Sequence, residues 1–442
     1  MLVSFAAIVS ITSVVTALTG VSGMPADASE ASAYVAAASD AAGSSFSGGP
    51  SHGMGDLSVF GSISRLRLAD VPSFVTSHRA ELDRMLTAPP RAADVSAAWK
   101  VLDPARRTEL VHVAPHVVGN LEGVPYVVRG QANALDLKRT ITSTTRQIAT
   151  GHGKAVRIEL KRKLTALDNV EKALTKHDGV TRTLVALDTS DDAKASIVVG
   201  DLATAKYVSV LVPGMYMSVG EQIVDWSRVA QDLHDQQAGW LKRLHGSRGS
   251  AAGTPGVAVV AWIGYQTPVL MNIGGTTLAK AGADSLERTL QGIVALRAGD
   301  EPYLSVLAHS YGSTAALLAL ERGTVTVDAL ALMGSPGSDA QSVTALSVRD
   351  GNVFVGQAQL DPIAHSAFFG SDPGSASYGA KRMGVGGGTD PLTGRSLGGS
   401  SGHNEYFAVG TECMRNLALI GIDRGDLVMG PGTGTARTAS AR

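Results

Sequence analysis

From Val180 onward the chain alternates between two hydrophobic textures. The runs TLVALD, ASIVVGD and YVSVLVPG are short, β-rich and separated by turn residues. Next comes GEQIVDWSRVAQDLHDQQAGWLKRL, where Trp226, Val229, Leu233 and Trp240 recur near helical spacing. VAVVAWIGY is a continuous apolar strand, SLERTLQGIVALRAG a helix, YLSVLAHS a strand and STAALLALERG a helix closed by Gly323. DALALMGSP and NVFVGQAQLD read as two further strands. Strands apolar on both faces, alternating with amphipathic helices, predict a mostly parallel central sheet covered on both sides and joined by right-handed crossovers.

Upstream the period is helical. VPSFVTSHRAELDRMLTA carries Phe74, Leu82 and Leu86 among charges, and AADVSAAWKVL and DPARRTELVHVA read as two short helices. Asp103 fits an N-cap with Pro104 at the first helical position. Ala155 to Lys176 reads as a long charged amphipathic helix stopped at Gly179. These textures divide the chain into a mainly helical region, 58–179, an α/β core, 180–428, and a Gly/Thr-rich tail, 429–442, expected to be disordered. Residues 34–57 read as a Ser/Gly-rich linker. Residues 1–33 read as a signal peptide or anchor, because no charged side chain precedes Asp27 and small residues at Ala28 and Ala33 suit cleavage. Export is the expectation, with a cytoplasmic location as the alternative. Gly370 to Gly402 is Gly-rich and predicted to be a long loop, of the kind used as active-site lids.

Composition narrows the chemistry. Apolar residues make up 44% of the 442, ample for a large core, and a formal charge of −1 gives no basic surface for nucleic acid. Cys413 is the single cysteine, so neither an internal disulfide nor a Cys-based zinc cage is available. It reads as buried packing. GHGKAV lacks the first glycine of a P-loop, and GVGGGTD does not join a strand to a helix. No cofactor and no metal are expected, and Trp226, Trp240 and Trp262 read as core.

The chemical signal is the turn inside YLSVLAHSYGSTAALLAL. A serine hydroxyl is a weak nucleophile unless it is held exposed beside a base. A sharp strand-turn-helix elbow supplies that position and crowds the backbone, so small residues are needed two before and two after the serine. Ser310 stands there between Ala308 and Gly312. In this architecture the acid and the histidine follow the serine in that order. Only His365 and His403 lie beyond Ser310. His403 is preferred, because His365 sits four residues from the best acid and shares its local turn. Asp361, ending the NVFVGQAQLD run, is the preferred acid, with Asp390 and Asp372 as alternatives. For the oxyanion hole the N–H of Tyr311 and that of Met215 or Tyr216, after the Pro-Gly turn at Gly214, are the candidate donors. His309 reads as structural, bonding beneath the elbow.

Several of these blocks together resemble the actinobacterial α/β-hydrolase family once catalogued as a domain of unknown function (DUF1023). They are WKVLDPARRTELVHVAPHVVGNLEGVPYVVRGQAN, YVSVLVPGM, VAVVAWIGYQTP, LAHSYGSTA, the strand before Asp361, and SGHNEYF, spread over Ala92 to Ile422. The resemblance implies an α/β-hydrolase fold with a helical N-terminal extension. It also implies the triad Ser310, Asp361 and His403 that chain order selects. Ala308 departs from the glycine usual in the family. The preface Gly119, Asn120, Gly123, Pro125, Arg129 and Asn133 is read as docking the helical region on the core; lining the pocket is the alternative.

The expected function is a serine hydrolase, an esterase or lipase-like enzyme forming an acyl-enzyme, with a small-molecule or lipid ester as partner. Membrane contact is expected only through the N-terminal segment. The rival readings are a catalytically inactive binding module of the cell envelope and a peptidase or amidase on the same fold.

Overall fold

The computed structural model describes residues 57–432 apart from 152, 176–178, 191–192 and 246–255. The expected signal peptide, all but the last residue of the linker, and the tail beyond 432 lie outside the described residues. The described residues belong to one unit.

Among the described residues eight α-helices precede the sheet: α1 (Ser58–Arg65), α2 (Val71–Ser77), α3 (Arg79–Thr87), α4 (Ala92–Val101), α5 (Pro104–Val113), α6 (Pro115–Asn120), α7 (Tyr126–Ala149) and α8 (Lys154–Leu174). Asp103 caps α5 by accepting from the Arg106 N–H at 2.9 Å, with Pro104 at the first helical position. The VPSFVTSHRAELDRMLTA stretch is two helices, broken at His78, whose ring stacks on Phe74 at 3.8 Å.

The alternating half builds β1 (Arg182–Asp188), β2 (Lys194–Gly200), β3 (Tyr207–Val212), α9 (Val219–His245), β4 (Val257–Ile263), α10 (Thr277–Leu296), β5 (Tyr303–His309), α11 (Tyr311–Glu321), β6 (Ala329–Met333), β7 (Val353–Gly356), β8 (Lys381–Arg382) and α12 (Glu412–Ile420). A small hairpin, β9 (Gly388–Thr389) with β10 (Ser396–Leu397), lies between β8 and α12. The eight strands run in the order β1-β2-β4-β3-β5-β6-β7-β8. β2 is antiparallel to both neighbours, and every pairing from β4 to β8 is parallel.

Side chains alternate across this sheet, so each face builds its own core. Val257, Val259, Ala261 and Ile263 of β4 join one layer with α8, α9 and α12. Ala258, Val260 and Trp262 join the other with α10 and α11. A third cluster, around Ile63, Met85, Trp99 and Leu110, fills the helical region. Helix α8 lies in the same layer as α9, so the helical half is continuous with the sheet packing.

The preface docks that half. Asn120 accepts from the Leu187 N–H at 2.7 Å and donates to the Leu187 carbonyl at 2.9 Å. Its amide thus satisfies the free edge of β1 as a neighbouring strand would. Buried Asn133 donates to the carbonyls of Leu184 at 3.0 Å and Gly119 at 2.8 Å. Gly119 has no room for a side chain, since a Cβ there would stand 2.0 Å from Asn133 Oδ1. Arg129 donates to the Gly119 carbonyl at 3.1 Å and to both Glu122 oxygens, at 2.5 and 3.0 Å.

Candidate active site

Ser310 stands between the end of β5 and the start of α11. Its φ of 54° and ψ of −133° are strained for a residue with a side chain. The strain is held from both sides. The Ser310 N–H donates to the Met333 carbonyl on β6 at 2.9 Å. At Gly312 a Cβ would stand 2.3 Å from the Pro213 carbonyl oxygen, and at Gly214 it would stand 2.6 Å from Ser310 Cβ. Ala308 is fully buried within the α10–α11 layer, where its methyl has a place.

His403 bridges to this serine. Its Nε2 lies 2.7 Å from Ser310 Oγ, and its Nδ1 lies 2.8 Å from Asp361 Oδ1. Asp361 Oδ1 also accepts from the N–H groups of Ile363 at 2.9 Å and Ala364 at 3.3 Å, and Oδ2 accepts from Tyr406 Oη at 2.5 Å. Burial alone would raise the Asp361 pKa. The hydrogen bond and charge of His403, with the donors Tyr406 and Ile363, outweigh it and hold the carboxyl below its usual range. The group is therefore an anion suited to orienting an imidazole and stabilising an imidazolium. Only 3% of Ser310 and 8% of His403 is exposed, so the chain of contacts is largely shielded from water.

The candidates for base and acid separate cleanly in space. His365 is exposed and turned out of the chain of contacts. Asp390 pairs with Arg415, and Asp372 accepts from Gln357 and Gly374, so neither alternative acid meets His403. One expectation of local structure is corrected: β7 stops at Gly356, and Asp361 stands five residues later in a turn. Beyond Gly356 the Ala358 N–H donates to the Tyr406 hydroxyl instead of a neighbouring strand, and the Asp361 N–H turns back to the Ala358 carbonyl.

The loops around the serine are cross-tied. Tyr265 Oη donates to the Pro213 carbonyl at 2.7 Å, fixing the Pro-Gly turn. The Tyr311 hydroxyl accepts from the Ala279 N–H at 3.0 Å and donates to the Gly275 carbonyl at 2.7 Å. The N–H of Tyr216 is spent on the Pro268 carbonyl at 3.0 Å, which removes Tyr216 as an oxyanion donor. Tyr311 opens α11, where a first-turn N–H has no intrahelical acceptor.

One residue around the site escapes a reading of the sequence. Tyr406, fully buried, reaches Asp361. Its place in HNEYF, three residues after His403, looks like an ordinary apolar position; a polar handle on a buried tyrosine is the only clue. His309 bonds through Nε2 to the His403 carbonyl at 2.7 Å and packs its ring 4.8 Å from that of His403. Burial, then the nearby His403, push its pKa down to about 3, so it stays neutral. The Gly370 to Gly402 segment is likewise not a free loop. Asp390 forms a buried ion pair with Arg415 of α12 at 3.1 Å, and Glu412 accepts from the Gly387 N–H at 2.9 Å.

Cys413 is buried, and burial pushes its thiol up, away from nucleophilic chemistry. Among the described residues no group of three or more His, Cys, Asp or Glu side chains could hold a metal ion, and no helix is long and apolar enough to cross a membrane.

A sheet in this order, with a strained serine on the turn after β5, defines an α/β-hydrolase architecture. The α/β-hydrolase family model matches residues 188–371, which include Ser310 and Asp361. An uncharacterized protein of Mycobacterium bovis is 30% identical over 219 residues, covering 48% of this chain and 79% of that protein. An uncharacterized protein of Mycobacterium tuberculosis is 29% identical over 385 residues and covers 77% of this chain. The chain spans only 57% of the length of that relative. Among solved structures, one of two fungal esterases from Rhizomucor miehei aligns at 11% identity and a TM-score of 0.35, over 65% of this chain and 96% of its own. The chain belongs to the α/β-hydrolase family.

Proposed function

We propose that this chain is a serine hydrolase of carboxylic esters that works through an acyl-enzyme on Ser310. The observation that carries the reading is the continuous contact Ser310 Oγ, His403 Nε2, His403 Nδ1, Asp361 Oδ1, at 2.7 and 2.8 Å. In the first step His403 Nε2 takes the proton of Ser310 as Oγ bonds to the ester carbonyl carbon. The carbonyl π pair moves onto oxygen, and the N–H groups of Tyr311 and Met215 hold that charge. Met215 is the remaining candidate on its loop, because Tyr216 is engaged elsewhere and Gly214 brings the backbone against Ser310. Collapse breaks the bond to the alkoxy oxygen, which leaves as the alcohol with the proton from His403. Water then attacks the acyl carbon, giving a proton to His403. Collapse releases the carboxylic acid and returns the proton to Ser310 Oγ. Asp361 stays ionised throughout and stabilises the imidazolium.

Mass spectrometry during turnover of a slowly deacylating p-nitrophenyl ester tests this. The expected result is one acyl group on the peptide containing Ser310, with a burst of nitrophenol matching the enzyme concentration. Turnover without any acylated peptide and without a burst speaks against an acyl-enzyme.

A further inference from the structure

The loops around Ser310 are short of charge and rich in exposed apolar side chains. Residues 213–218, 264–276, 362–371 and 398–404 contain no Lys, Arg, Asp or Glu, in a chain that is 17% charged. On the same loops, and beside Asp361, Tyr216 is 47%, Val269 43%, Leu270 38%, Met271 93%, Leu360 73% and Phe368 47% exposed. Isolated exposed apolar residues need no explanation, but these are linked to one another and to the nucleophile. The Leu270 N–H donates to Tyr216 Oη at 3.0 Å, joining the loops after β3 and β4. Gly275, at the far end of the second loop, accepts from the Tyr311 hydroxyl. Phe368 packs edge-on against Phe369 at 4.9 Å, and Phe369 against Tyr311 at 5.6 Å, so aromatic rings lead from the surface to the residue beside Ser310. The Leu360 N–H bonds to the Ser401 carbonyl, two residues before His403.

We infer that this rim receives a hydrocarbon chain, so that the site takes neutral esters with a long apolar chain and rejects anionic ones. The inference rests on the serine-hydrolase reading above. A rim without a cation offers nothing to a phosphate or a carboxylate, and desolvating such a group against apolar side chains is unfavourable. A methylene chain laid on the same surface gains from every CH₂ removed from water. The chain can enter on the acyl or the alcohol side of the ester; both leave the carbonyl at Ser310.

The test measures kcat/KM for p-nitrophenyl acetate, hexanoate, octanoate and hemisuccinate, and for n-alkyl acetates of matching lengths. The full chain is used, with Met271→Asp, Phe368→Asp and, as a remote control, Val101→Asp on α4, where the side chain is 65% exposed. The expected result is a rise of at least roughly tenfold from the acetate to the octanoate in one of the two series, since each buried methylene favours binding. The series that rises identifies the side of entry. The hemisuccinate should be the poorest ester, and the rim variants should cut the octanoate-to-acetate ratio at least fivefold, on the order expected for losing a few buried methylenes. Val101→Asp should keep the wild-type ratio. Flat profiles in both series, a preferred hemisuccinate, or rim variants with the wild-type ratio overturn the inference while leaving a hydrolase that acts on the acetate. Absence of turnover on every ester, equal to that of Ser310→Ala, removes the hydrolase reading and this inference with it.

Discussion

The hydroxyl of Tyr406 stands between Asp361 and the backbone of Ala358, donating to Asp361 Oδ2 at 2.5 Å and accepting from the Ala358 N–H at 2.9 Å. Burial and the Asp361 charge push its phenol up, so it remains a donor. A hydrogen bond to the outer oxygen draws charge away from the oxygen facing His403. On the serine-hydrolase reading, Tyr406 is therefore a positioning residue that moderates how strongly Asp361 stabilises the imidazolium. In Tyr406→Phe kcat for p-nitrophenyl acetate should fall severalfold with KM little changed, because Asp361 loses the bond that fixes its outer oxygen while it orients His403. Stability should fall by about 1–3 kcal/mol, since the buried Ala358 N–H loses its acceptor. An unchanged kcat would show that Tyr406 only fills space.

Neutral His309 makes the fold sensitive to acid. Its pKa is near 3 when folded and returns to about 6.5 in the unfolded chain, so between those values the unfolded state binds more protons. Its contribution is thus fully present above about pH 6.5 and is lost as pH falls toward 3, with a slope of at most about 1.4 kcal/mol per pH unit. Urea unfolding of the wild type and of His309→Gln across this range measures it. The variant should show the shallower decline; parallel curves would contradict the assignment.

The buried pair Asp390–Arg415 pins the Gly-rich segment to α12. Removing one partner leaves an unpaired buried charge, at a cost of about 3–5 kcal/mol for Asp390→Leu or Arg415→Met alone. The double variant should lose clearly less than the sum of the two. Strict additivity in a double-mutant cycle by urea unfolding would show that the pair does not couple.

Asn120→Ala strips β1 of its edge partner and should destabilise by about 1–3 kcal/mol, since both the N–H and the carbonyl of Leu187 lose their hydrogen bonds. Ester turnover per folded molecule should be retained, because the amide is spent on the sheet edge. A variant that melts like the wild type would remove the docking role.

The meeting of Ser310, His403 and Asp361 is legible in the sequence because each obeys a local or ordering constraint. The elbow needs small residues at fixed offsets, and chain order leaves few histidines to choose from. Position along β7 was less legible: NVFVGQAQLD reads as one strand, yet a hydroxyl from Tyr406, distant in sequence, takes the Ala358 N–H and ends the ladder early. The same limit hid the order in Gly370 to Gly402, where glycines suggest a loop and non-local contacts from Asp390 and Glu412 to other elements set its course. The preface around Asn120 and Asn133 reads as a docking element, but the backbone groups of β1 that it docks on are ones no spacing rule connects to it.

The central claim is that Ser310 is a nucleophile activated by His403. The most direct measurement is labelling of the native protein by a fluorophosphonate probe, with Ser310→Ala and His403→Ala in parallel. The account predicts a single adduct on the peptide containing Ser310, none with Ser310→Ala, and a rate reduced by about a thousandfold or more with His403→Ala, on the scale of losing a triad member. An unlabelled wild type, or equal labelling of Ser310→Ala, would contradict it.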